Sequence, residues 1–183
     1  MRAAAALALS LILATVACGD GESRNMTVEE VAGELRGLRI EPGLWALSSA
    51  VLDARGPNLP REAQARLKGH RQNLRSCVTP EQAARPESNF QTRQTDSQCT
   101  YRDFSMRDGR LRGEMRCTGG GLPGTMTTRM DGRYGPRSYD VRMRMTSTGM
   151  PEGANMTIDT RTIGRRIGDC PPAAADRSKE GPS

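Results

Sequence analysis

The clearest pattern along the chain is a strict alternation, with Tyr139, Val141, Met143 and Met145 apolar and Asp140, Arg142, Arg144 and Thr146 polar. A period of two predicts a strand in an antiparallel sheet that has one packed face and one wet face. Trp45, Leu47 and Val51 repeat the period with Ser49 between them, and predict a strand over about 44–52. Further strands are expected over about 67–78, 98–106, 110–117, 124–132, 137–147 and 154–163, separated by Gly/Pro/Asn turns such as Gly56–Pro60 and Gly149–Gly153. Helical spacing occurs twice. Thr27 and Glu30 form a capping box ahead of Val28, Val31 and Leu35, so a helix is expected over about 27–36, stopped by Gly37. Thr79 followed by Pro80 reads as the cap and first residue of a single helical turn over 79–84. Residues 85–97 lack a period and read as a polar loop. The fold class expected is therefore mainly β: a curved antiparallel sheet or incomplete barrel of about seven strands, with one or two short helices.

The two ends read differently. Met1-Arg2 precedes an apolar run from Ala3 to Ala17. At about 15 residues this run is too short to cross a bilayer and reads as a secretory signal peptide. The run ends Leu13-Ala14-Thr15-Val16-Ala17-Cys18, a small residue directly before a cysteine, the mark of a bacterial lipoprotein signal. Cys18 is thus expected to carry a lipid that attaches the protein to a membrane. Gly19 rather than Asp follows it, favouring the outer membrane over the inner. Residues 18–26 would form a tether, 27–170 a single β-rich domain, and the Pro/Ala/charged stretch 171–183 a disordered tail.

Export changes the meaning of the cysteines. Setting Cys18 aside leaves Cys77, Cys99, Cys117 and Cys170, which in an oxidising compartment read as two disulfides with three connectivities. Asp108-Gly109 is a hairpin signal between two strands. In a symmetric hairpin Cys99 then faces Cys117, with Cβ atoms about 4.5–5.5 Å apart. That predicts a Cys99–Cys117 bond and leaves Cys77–Cys170 by elimination. None of the spacings is the short CxxC of zinc or redox sites.

Several landmarks occur in a recognisable order: Glu41-Pro42-Gly43-Leu44-Trp45, Cys77-Val78-Thr79-Pro80-Glu81, the Cys99 and Cys117 pair, and Arg165-Arg166-Ile167-Gly168-Asp169-Cys170. Over about 39–170 the chain resembles the bacterial family catalogued as domain of unknown function 3617, whose members are exported. The resemblance implies a periplasmic or surface-attached domain and carries over no catalytic or binding residues.

Composition narrows the chemistry. After position 17, Leu, Ile, Val and Phe number 21 of 166 residues, a level at which a core needs staples. Eight methionines lie between Met106 and Met156 and read first as pliable core in place of the missing aliphatics. They also offer a methionine-lined cavity for an apolar ligand, or soft thioethers for Cu(I), with Met143 and Met145 on one face. His70 is the single histidine, and no GxSxG is present, so no Ser–His pairing is signalled and no enzyme is expected. Gly119-Gly120-Gly121-Leu122-Pro123-Gly124 matches GxGxxG, but strand-like alternation follows where a dinucleotide site needs a helix. No cofactor is expected. The net charge is +6, and 25 of the 27 cationic residues are arginine. Interspersed acids and 3% aromatics argue against nucleic acid. Outward arginines such as Arg142 and Arg144 would sit in solvent or against anionic headgroups. The expected partners are a membrane through Cys18, and an apolar small molecule or an envelope protein.

Overall fold

The computed structural model describes residues 24–86, 97–119 and 122–172. The signal segment, Cys18, most of the 85–97 loop and the tail from 173 lie outside the described residues. In chain order the elements are β1 (Asn25–Met26), α1 (Val28–Arg36), β2 (Gly43–Arg55), α2 (Arg61–Leu67), β3 (Arg71–Val78), α3 (Pro80–Ala84), β4 (Ser97–Arg107), β5 (Arg110–Gly119), β6 (Leu122–Gly135), β7 (Ser138–Thr148) and β8 (Met156–Gly168). The strands form one open, curved, eight-stranded sheet in the order β1-β4-β5-β6-β7-β8-β2-β3, antiparallel throughout.

The registers sort the side chains into two faces. Met26, Tyr101, Met115, Thr128, Met145, Ile158 and Ala54 lie in one row across seven strands, on the inner face. The neighbouring row on the outer face is Glu114, Arg129, Arg144 and Asp159. The alternation of residues 139–146 therefore divides as its period requires. Helix α1 covers the β4 side of the inner face. Its capping box is complete, with Glu30 N–H donating to Thr27 Oγ1 and Thr27 N–H to Glu30 Oε2. Val31 and Ala32 are fully buried, Val31 against Tyr101 and Phe104.

A β-bulge in β4 sets this packing. Asp108 and Gly109 both have positive φ, as a two-residue hairpin turn requires, and Arg107 pairs with Arg110. Continued unbroken, that register would put Cys99 opposite Thr118. An extra residue between Arg102 and Ser105 shifts it by one, so Cys99 meets Cys117. Asp103 takes a positive φ and is tied to Arg24 by backbone and side-chain hydrogen bonds of 2.9 and 2.7 Å. Phe104 consequently turns inward. Gly113 makes room for it, since a Cβ there would lie 2.8 Å from the Phe104 ring.

Three expectations need correction. The strand expected from 67 starts at Arg71, because Arg61–Leu67 forms helix α2. Its run Arg-Glu-Ala-Gln-Ala-Arg has good helix formers but no apolar stripe, and nothing in it is buried, so periodicity had no purchase. The last strand runs to Gly168 rather than 163, as polar residues continue to pair with β2. An eighth strand appears where a tether was expected: Asn25 and Met26 pair with Arg102 and Tyr101.

Both disulfides have the expected partners. Cys99–Cys117 staples β4 to β5, with Cα atoms 4.1 Å apart. Cys77–Cys170 ties the edge strand β3 to the chain beyond β8, with Cα atoms 5.6 Å apart. Among the described residues β3 pairs with β2 alone, so the bond holds a strand paired on one side.

Candidate functional site

After α1 the chain crosses the inner face to reach β2 at the far side of the sheet, and residues 37–42 form a strap over it. The strap is pinned at its far end. Glu41 N–H donates to Pro136 O at 2.8 Å, Trp45 Nε1–H to Glu41 O at 3.1 Å, and Arg166 Nε–H to Pro42 O at 2.7 Å. Beneath it lies an open cleft of about 300 Å³. Leu38 and Ile40 of the strap form its roof, and its walls come from six strands, β2 to β7.

The chemistry of this cleft is uniform. Its lining side chains are Leu, Ile, Val, Met and aromatic, with the Ser76, Tyr134 and Tyr139 hydroxyls as the polar exceptions. Burial raises both tyrosine pKa values, Tyr134 with added help from the Asp108 and Glu34 charges. Both phenols are therefore neutral at physiological pH, and no lining side chain carries charge. Trp45, buried at 4% exposure, stacks near Tyr139 with ring centroids 6.2 Å apart and planes at 23°. An uncharged, partly aromatic recess is suited to taking up apolar matter.

A larger depression of about 690 Å³ lies beside Cys170. Its rim carries Glu81, Arg166 and Asp169, and Arg166 is already paired with Asp169 at 2.5 Å. Its lining mixes Pro42, Val78 and Pro80 with Thr79, Gln82 and these charged groups, so it is less uniformly apolar than the strapped cleft.

The remaining candidates separate cleanly. Met143 and Met145 share the inner face, and Met130 lies directly opposite Met143. Among the described residues no cluster of three His, Cys, Asp or Glu side chains could hold a metal. His70 is exposed just before β3 and engages through its backbone, accepting from Val51 N–H and donating to Leu67 O. The GxGxxG stretch joins β5 to β6, with no helix after it; Gly120 and Gly121 lie outside the described residues. Gly124 packs against Thr148 O, where a Cβ would come within 2.3 Å. Arg144 gives its Nε–H and Nη2–H to Asp159 at 2.6 and 3.2 Å. No helix among the described residues is long and apolar enough to cross a membrane.

The strap is what sequence reasoning missed. Leu38-Arg39-Ile40 between Gly37 and Pro42 is an apolar alternation too short to register as an element. The cleft's walls come from strands distant in sequence, so its volume has no local signal.

A family model described as "Protein of unknown function (DUF3617)" matches residues 40–170. The chain belongs to the DUF3617 family. No curated protein and no solved structure matches it. The DUF3617 match begins at Ile40 within the strap and ends at Cys170, so it takes in both disulfides and nearly the whole cleft, and leaves out α1 and Leu38.

Proposed function

We propose that this protein is a non-enzymatic component of the bacterial envelope that holds an apolar small molecule in the strapped cleft. The observation that carries this is the cleft itself: about 300 Å³, roofed by Leu38 and Ile40, with no charged lining. That volume is at the lower end of the range for small-molecule sites. Two disulfides fit an oxidising compartment. The apolar run ending Ala17-Cys18 supports export and a lipid anchor on Cys18, with the domain facing the periplasm from the outer membrane. Native mass spectrometry of the protein purified from its own envelope tests the reading. A mass excess that extracts into organic solvent and matches an apolar compound is expected; a bare mass with both disulfides intact would contradict it. Radiolabelled palmitate should enter the wild type and not Cys18→Ala, and equal labelling of both would remove the anchor.

A second reading rests on Met130 opposite Met143 with Met145 two residues on, three thioethers on one face. Such a group suits Cu(I) in an envelope copper binder. Under this reading Ag(I) titrates the wild type stoichiometrically and Met143→Leu/Met145→Leu loses the site. Identical titrations would dismiss it.

A further inference from the structure

The outer face carries its arginines in rows, and several are ion-paired. Arg129 pairs with Glu114 at 2.6 Å, Arg144 with Asp159, and Arg112 with Asp131 at 3.4 Å. Arg161 gives both Nε–H and Nη2–H to Asp140, which holds that carboxyl below its ordinary range. Three that are not paired lie together. Arg110 and Arg133 are directly opposite each other across β5 and β6, and Arg142 sits in the next row between Arg161 and Asp131, whose carboxylate pairs with Arg112. All of Arg110, Arg133 and Arg142 lack an ion pair among the described residues, and all are exposed. They border one depression of about 180 Å³, lined by four arginines and two aspartates, a local excess of two positive charges.

Like charges directly opposite on a sheet destabilise it. Here the acid that could relieve Arg133, its cross-strand neighbour Asp140, is already engaged by Arg161. A tetrahedral oxyanion in the depression would convert the repulsion into charge-assisted hydrogen bonds, and the planar guanidinium fork matches phosphate oxygens two at a time. We infer that this depression binds a phosphate monoester group, held by Arg110 and Arg133 with Arg142 as the third cation. The site lies on the opposite face of the sheet from the apolar cleft and does not depend on it.

The group could belong to a soluble phosphate compound or to a phosphorylated lipid headgroup. Two probes separate these: inorganic phosphate followed by ³¹P line broadening, and phosphatidic acid vesicles compared with phosphatidylcholine vesicles in a flotation assay. The proteins are wild type, Arg110→Gln/Arg133→Gln, and Arg71→Gln/Arg75→Gln, which removes the same charge from the outer face of β3. Wild type and the β3 variant should bind at least one probe, while the depression variant binds it about tenfold more weakly or not at all. Broadening by inorganic phosphate indicates a soluble ligand; binding to phosphatidic acid vesicles alone indicates a headgroup. Without phosphate, the depression variant should also melt above wild type, since the opposed charges are gone. Equal binding by all three proteins would mean a diffuse charge effect and overturn the site, as would no binding of either probe by wild type.

Discussion

The ring of Tyr139 lies directly on the backbone of Gly164, so close that a Cβ on the glycine would fall 2.2 Å from Cε1 of the ring. The two residues are cross-strand partners in β7 and β8. Gly164 is buried, and it lets Tyr139 lie flat enough to form a wall of the cleft beside Trp45. Gly164→Ala should force the ring out of place and destabilise the domain by about 1–3 kcal/mol, as overpacking generally does. The matched control is Gly33→Ala in α1, where a Cβ meets nothing within 4 Å. That change should stabilise by about 0.5–1 kcal/mol through helix propensity. Urea unfolding of both variants checks the pair.

The disulfides should be unequal. Cys77–Cys170 closes a separation of 93 residues and Cys99–Cys117 one of 18. On the chain-entropy argument their loss costs about 4–5 and about 3 kcal/mol respectively. Hydrogen exchange adds a spatial signature. Cys77→Ser/Cys170→Ser should release the amides of β3 while β5 to β8 remain protected, since among the described residues β3 pairs with β2 alone.

Acid should weaken the docking of α1. The Arg107 guanidinium donates to Glu34 at 2.8 Å and holds its carboxyl below the ordinary value near 4.5, against the opposing effect of burial. A carboxylate whose folded pKa is depressed stabilises the fold above its unfolded pKa, and that contribution disappears as pH falls through the folded value. Asp140 behaves the same way through Arg161. Unfolding free energy should therefore be level near neutrality and decline below about pH 5. Glu34→Gln should be less stable than wild type at pH 7 and lose part of that decline. A parallel pH profile for the variant would show that the pair contributes nothing.

Elements whose chemistry is local were legible in the sequence. The Thr27 and Thr79 caps, the Asp108-Gly109 turn and the two faces of residues 139–146 all stand as their residues dictate. The Cys99–Cys117 pairing was also foreseen, though on an even hairpin register that the two-residue turn does not provide. The bulge near Asp103 supplies the missing step, and it depends on a tertiary tie to Arg24. Helix α2 and the strap were not legible for opposite reasons. The first buries nothing and so carries no period. The second uses two apolar residues, Leu38 and Ile40, whose role exists only once six strands lie beneath them. The unpaired arginines were equally hidden: Arg142 and Arg144 look alike in sequence, and each has an acid opposite it, Asp131 and Asp159, but Asp159 pairs with Arg144 while Asp131 pairs with Arg112.

The most direct test of the account is whether the strapped cleft takes up an apolar molecule. Ser76 is exposed on the edge strand β3, lines the cleft and lies opposite Trp45, so Ser76→Trp fills the recess from its rim where aromatic residues suit a strand. Fluorescence titration with N-phenyl-1-naphthylamine should show saturable binding to wild type and its loss in Ser76→Trp, with the melting temperature unchanged or raised. Equal binding to a folded Ser76→Trp, or none to wild type, would contradict the cleft as the ligand site.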